Sequence, residues 1–157
     1  MTSDRDLDAV ARDIVDSNVY MTLATADRVG NPWPSPVWYA HADYTDFLWV
    51  SRPDARHSRN LAGRPELGIV IFDSTAGVDA AQAVYVEAVA EELTGADRDE
   101  AIALYSRRSE NLGARPWTST DVIAPAGLRL YRARASAHFV LDANDRRVPV
   151  NAAGSAR

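Results

Sequence analysis

The sequence contains no cysteine and no lysine; all 17 of its basic residues are arginine. Without cysteine there is no disulfide, no thiolate nucleophile and no thiolate metal site. Without lysine there is no Schiff-base chemistry and no P-loop lysine. Histidine is sparse, and His41, His57 and His138 lack the spacing of zinc ligands, so no metal site is expected. Neither G-x-S-x-G nor G-x-G-x-x-G occurs, which argues against a nucleophile elbow and a dinucleotide fingerprint. No apolar run approaches the roughly 20 residues of a membrane span. The opening "MTSDRDLDAVARDI" is too acidic for a signal peptide. A net charge of −5 argues against non-specific nucleic-acid binding. A cytoplasmic protein with no membrane or nucleic-acid partner is expected.

What remains is a chain of 157 residues, 46% hydrophobic, suited to one globular domain over residues 1–157. Its ends, 1–6 and 151–157, are expected to fray. Leu7, Val10, Ala11, Ile14 and Val15 recur at helical spacing, with Ser3 as a candidate N-cap. Strands are then expected at "VYMTLAT" (19–25), "SPVWYA" (35–40), "DFLWV" (46–50), "LGIVIFD" (67–73), "AVYVEAVAEEL" (83–93) and "LRLYRARASAHFVLD" (128–142). The last of these reads as one long strand or two consecutive ones. Asp97 and Glu100 resemble a capping box that opens a helix through Leu104 and Tyr105. No strand–helix–strand rhythm appears. About six strands with peripheral helices therefore predict a mainly β, antiparallel sheet or barrel.

One connection is unusually basic. "SRPDARHSRNL" (51–61) carries Arg52, Arg56, His57 and Arg59. A short helix is expected over 55–62, with Asp54 as N-cap, Gly63 at C′ and Pro65 beyond. Arg56 and His57 then occupy the first turn, where the helix dipole disfavours cations by roughly 0.3–1 kcal/mol each. Two readings stand: a solvated turn, or an anion site where N–H groups and arginine converge on a phosphate.

"NPWPSPVWYA" (31–40) is similarly open to two readings. Its alternating prolines confine it to a sheet edge. Carbonyls and the N–H groups of Val37 and Trp38 would then be free to meet a planar heterocycle, with Trp33 and Trp38 able to stack. The alternative is an ordinary edge strand with core tryptophans. His41 in its loop and Tyr105, Arg107 and Arg108 on the later helix are weaker candidates for substrate contact.

Taken together, the pieces resemble the pyridoxamine 5'-phosphate oxidase-like split-barrel superfamily over about residues 8–150. The carriers are "PVW" and, downstream, a strand ending in Ser51, the basic pair Arg56 and His57, then Asn60 and Leu61. The resemblance implies a six-stranded antiparallel split β-barrel and a homodimer with cofactor sites at the interface. It implies FMN as cofactor, with deazaflavin or haem used by other relatives, and oxidoreductase activity on a small molecule. By position, Ser35, Pro36, Val37 and Trp38 would line the isoalloxazine. Val50 and Ser51 would touch the ring or ribityl chain. Ala55, Arg56 and His57 would hold the phosphate, with Arg59 or Asn60 near, and Gln82 or Trp117 of the second chain would cover the ring. Pyridoxamine-phosphate-oxidising relatives carry arginine where Ser35 stands and lysine where His57 stands. They also carry a C-terminal arginine-x-histidine pair that has no counterpart here. Oxidation of pyridoxamine phosphate itself is therefore not expected.

Overall fold

The computed structural model describes residues 6–154. Eight strands form one antiparallel sheet: β1 (Tyr20–Ala26), β2 (Pro32–Trp38), β3 (Ala40–Ala42), β4 (Asp46–Ser51), β5 (Glu66–Phe72), β6 (Ala83–Glu92), β7 (Arg129–Leu141) and β8 (Arg147–Val150). The spatial order is β2-β1-β5-β6-β7-β4-β3, with β8 also paired to β7. The sheet curls into a split barrel with peripheral helices α1 (Leu7–Ser17), α2 (Arg56–Gly63) and α3 (Gly95–Asn111).

The strand count exceeds the expected six for two reasons. The run expected as one strand over 35–40 is broken at Tyr39, whose buried ring donates its hydroxyl to the Val15 carbonyl at 2.6 Å. The chain after it makes β3 instead. β8 is not among the expected strands; it contains Pro149, and an edge position does not need its N–H. The long segment over 128–142 is a single strand, β7.

Alternation decides what faces inward. In β1 Met21, Leu23 and Thr25 are buried; in β5 it is Leu67, Ile69 and Ile71; in β6 it is Val84, Val86, Ala88 and Ala90. Trp49 and Phe47 of β4 complete this core, and Ala11 and Val15 of α1 pack against it. The outer face is also apolar. Thr22, Val70, Tyr85 and Phe139 stand in register across β1, β5, β6 and β7. Exposed Tyr20, Phe72 and Val89 flank that row.

Several capping expectations are corrected. Ser3 lies outside the described residues, and Asp6 caps α1, its Oδ1 accepting from the N–H of Asp8 and Ala9 at 3.1 Å each. Asp97 and Glu100 form no capping box, because α3 starts earlier, after Thr94. Gly63 ends α2 without a left-handed φ. A Cβ there would stand 3.0 Å from the Arg28 side chain, which is exposed and free to shift. Of the ends expected to fray, Asp6 is the α1 cap, and Ala152 is buried in the main core. Among the described residues no helix is long and apolar enough to cross a membrane.

Candidate functional site

The strand β4 delivers the chain to Ser51, and α2 begins five residues later. Asp54 does not cap this helix. It turns back to Arg52, whose Nε donates to its carboxylate at 3.0 Å and holds the Asp54 carboxyl below its usual range. The N-cap is Ala55, which offers no side-chain acceptor. The first intrahelical bond runs from Arg59 N–H to the Ala55 carbonyl at 3.0 Å. The N–H groups of Arg56, His57 and Ser58 thus precede the ladder with no side-chain cap to satisfy them.

Arg56 is exposed at this end, its guanidinium 4.2 Å from the centre of the Trp33 ring. Arg59 is exposed one turn on. His57 and Asn60 point the other way and are buried. His57 Nδ1 lies 3.1 Å from Ser35 Oγ and Nε2 2.9 Å from Ser51 Oγ. Burial pushes its pKa below the ordinary histidine value, so the imidazole is neutral at pH 7. Asn60 donates to Thr25 Oγ1 at 3.0 Å, and Thr25 donates to the Trp33 carbonyl at 3.2 Å. Sequence reading missed Thr25, which carries no local signal beyond strand propensity.

β2 is an edge strand paired only with β1. Pro32, Pro34 and Pro36 have no N–H to give, so the ladder falls to alternate residues, ending with Tyr39 N–H to the Val19 carbonyl at 3.2 Å. Val37 shares the phase of Tyr39. Its N–H therefore points to β1, not to the free edge. The edge is left with the proline carbonyls and the N–H of Trp38 alone. Trp38 and Val50 belong to a second apolar cluster beneath α3. The Tyr105 ring lies between two tryptophans, edge-on to Trp38 at 4.9 Å and to Trp117 at 5.6 Å. Arg115 covers the Trp117 ring at 3.6 Å.

The architecture is the expected split barrel, and the model of the pyridoxamine 5'-phosphate oxidase family matches residues 7–128. The chain belongs to the pyridoxamine 5'-phosphate oxidase family. Solved structures of similar fold include a heme binding protein from Mycobacterium smegmatis, 24% identical with a TM-score of 0.70, covering 96% of this chain and 60% of that one. The chain thus spans 60% of that protein's length. Another is HutZ, the heme storage protein from Vibrio cholerae, 19% identical with a TM-score of 0.65 over 82% of this chain and 89% of that one. An F420 reductase is 18% identical with a TM-score of 0.56 over 76% of this chain and 88% of that one. A comparison with curated proteins gave no match.

Several site expectations for this pyridoxamine 5'-phosphate oxidase family member need restating from the geometry. Ser35, Ser51, Ala55, Arg56 and His57 converge where β2, β4 and α2 meet. Within that group the imidazole of His57 is engaged by two serine hydroxyls, and Asn60 by Thr25. Gln82 stands at the start of β6, its amide fully used: Nε2 donates to the Leu141 carbonyl, and Oε1 accepts from Ala83 and Leu141 N–H. Trp117 packs on Tyr105 of its own chain. His41 is held by Asp16 at 2.9 Å and accepts from Tyr44 N–H at 3.2 Å. Arg108 donates to the Asn18 carbonyl, while Arg107 is exposed.

Proposed function

We propose that this protein is an FMN-dependent oxidoreductase acting on a small molecule other than pyridoxamine phosphate, and that it works as a homodimer. One observation carries the reading: α2 begins with three uncapped N–H groups and the exposed Arg56, beside a prolyl strand edge. An uncapped, cationic helix start is unfavourable by itself and becomes favourable with an anion present. The residues present fit FMN. Arg56 and the first-turn N–H groups would hold the phosphate, Arg59 would add charge, and Ser51 and Val50 would flank the ribityl side. The Pro34 and Pro36 carbonyls and the Trp38 N–H would be available to the polar rim of the ring. The flavin itself supplies hydride transfer. The chain supplies placement and a neutral Ser35–His57–Ser51 chain that can relay a proton between two hydroxyls.

The dimer reading rests on the outer face. A cavity of about 510 Å³ opens there, lined by Ala24, Val70, Tyr85, Phe139 and Arg147. The row of half-buried Val70, Tyr85 and Phe139 and the exposed Tyr20 and Phe72 beside it offer an apolar face for a second copy. A second copy covers it.

A deazaflavin reductase is the second reading. It is favoured by the neutral Ser35–His57 pair, which leaves fewer fixed cations for a phosphate dianion, and by the likeness to an F420 reductase. Haem fits less well. The Nε2 atoms of His41, His57 and His138 are engaged by Asp16, Ser51 and the Tyr44 carbonyl. The test is the visible spectrum of the purified protein, mass analysis of whatever heat releases, and titration with FMN, riboflavin and a deazaflavin. FMN binding tighter than riboflavin supports the reading. Deazaflavin binding without FMN binding overturns it.

A further inference from the structure

Among the described residues, only two buried side-chain polar atoms lack a hydrogen-bond partner: Ser58 Oγ and Trp49 Nε1. Both belong to residues beside the Tyr131 ring. Trp49 stacks on it at 5.5 Å, and Ser58 lines the same cleft as the Tyr131 ring. Buried polar groups left unpaired are rare, and one way to complete them is a ligand.

Ser58 and Tyr131 line a cleft of about 440 Å³ between α2 and the end of the β6–β7 ladder, a volume in the range of small-molecule sites. Its walls are apolar, from Pro53, Leu61, Pro65 and Ala90. Its polar elements are the Ser58 hydroxyl, the Tyr131 phenol and the Glu92 carboxylate, which accepts from that phenol at 3.5 Å. Ser58 and Tyr131 are 4% and 6% exposed. The charge around the cleft is negative. Glu91 is bound by Arg132, but that guanidinium is shared with Asp46 at 3.7 Å and Asp97 at 3.9 Å. Arg129 donates to the Ala126 and Leu128 carbonyls.

We propose that this cleft binds a small organic cation, an ammonium group on an apolar body. The ammonium donates to the Glu92 carboxylate and to a hydroxyl oxygen of Ser58 or Tyr131. The apolar body rests on the two prolines and Leu61. An anion is disfavoured by Glu91 and Glu92. The side chains that line the cleft are separate from those of the candidate cofactor site. At 100° per residue, Ser58 and Ala62 lie on the opposite side of α2 from His57 and Asn60.

Benzylamine and its neutral analogue benzyl alcohol are suitable probes, followed by proton–nitrogen NMR of the full chain. The Trp49 indole N–H and the amide of Leu61, which lines the cleft, serve as reporters. Benzylamine is expected to shift both saturably in about the millimolar range, as suits so few atoms. Glu92→Gln should weaken it about tenfold, the scale of a lost charged hydrogen bond. Ala62→Trp, at an exposed position that lines the cleft, should abolish binding. FMN titrations of both variants should match wild type. Absence of a saturable shift, equal affinity for benzyl alcohol, or indifference to both substitutions would overturn the proposal.

Discussion

The imidazole of His57 stands 2.9 Å from the hydroxyl of Ser51, and through its other nitrogen it reaches Ser35. Ser35 is on β2 and Ser51 on β4, strands that share no ladder. The histidine thus bolts the opening of the split barrel at the point where α2 begins. Burial keeps the imidazole neutral, so Ser35 and His57 form a neutral hydrogen-bonded pair.

His57→Ala removes both bonds and leaves a buried gap. It is expected to cost about 2–3 kcal/mol of stability, combining a cavity with stranded hydroxyls. His57→Gln should recover part of that. Urea unfolding with an unchanged slope measures the loss, and an unchanged midpoint for the alanine variant would contradict the bolt.

Stability should depend on pH through His57 and His138, both of whose pKa values burial pushes below 6.5. Below the unfolded-state value the denatured chain takes up protons that the native chain refuses. The denatured state then binds more protons, so stability falls as pH drops from 6.5 toward the native pKa values. Above 6.5 the two histidines contribute no slope. Urea midpoints at pH 7.5 and 5.5 check this, and His57→Gln should flatten the difference.

Arg56→Ala tests the phosphate reading. Losing a charged hydrogen bond should weaken FMN by about 1.5–3 kcal/mol and leave riboflavin unchanged. The fold should be nearly indifferent. The exposed contact with Trp33 is worth about 0.5–1 kcal/mol, and removal of a cation from a helix start returns about 0.3–1 kcal/mol. Equal loss for both flavins would place Arg56 away from the phosphate.

A homodimer burying more than about 2,000 Å² is expected. Tyr85→Glu, in the centre of the outer apolar row, should shift it toward monomer. Sedimentation of the wild type as a monomer at micromolar concentration would rule this assembly out.

Pyridoxamine phosphate should not be a substrate even with FMN supplied. Oxygen consumption at rates ordinary for enzymes, about 1 per second or faster, would show that the Ser35 and His57 replacements are immaterial.

Much of this was readable along the chain. Alternation over "AVYVEAVAEE" marks β6, and proline at every second position makes β2 an edge in advance, because a missing N–H is a local fact. The basic helix was readable as well, since caps and dipole are local. Its cap was not. Asp54 had the right chemistry, but Arg52 was close enough to take its carboxylate. The extent of α3 was equally hidden, because its buried residues, Ile102, Tyr105, Ser106 and Ser109, include two serines and make a weak apolar stripe.

The partners of the site residues belonged to the tertiary structure alone. His57 reaches across 22 residues to Ser35, and Asn60 across 35 to Thr25. Ser58 is left without a partner beside Tyr131, more than 70 positions on in the sequence. Residue type announces that a histidine or an asparagine needs hydrogen bonds, and the sequence by itself determined which chemistry this segment carries. Which groups meet those needs, and which stay open to a ligand, was decided when strand pairing brought β2, β4 and β7 to the two sides of α2.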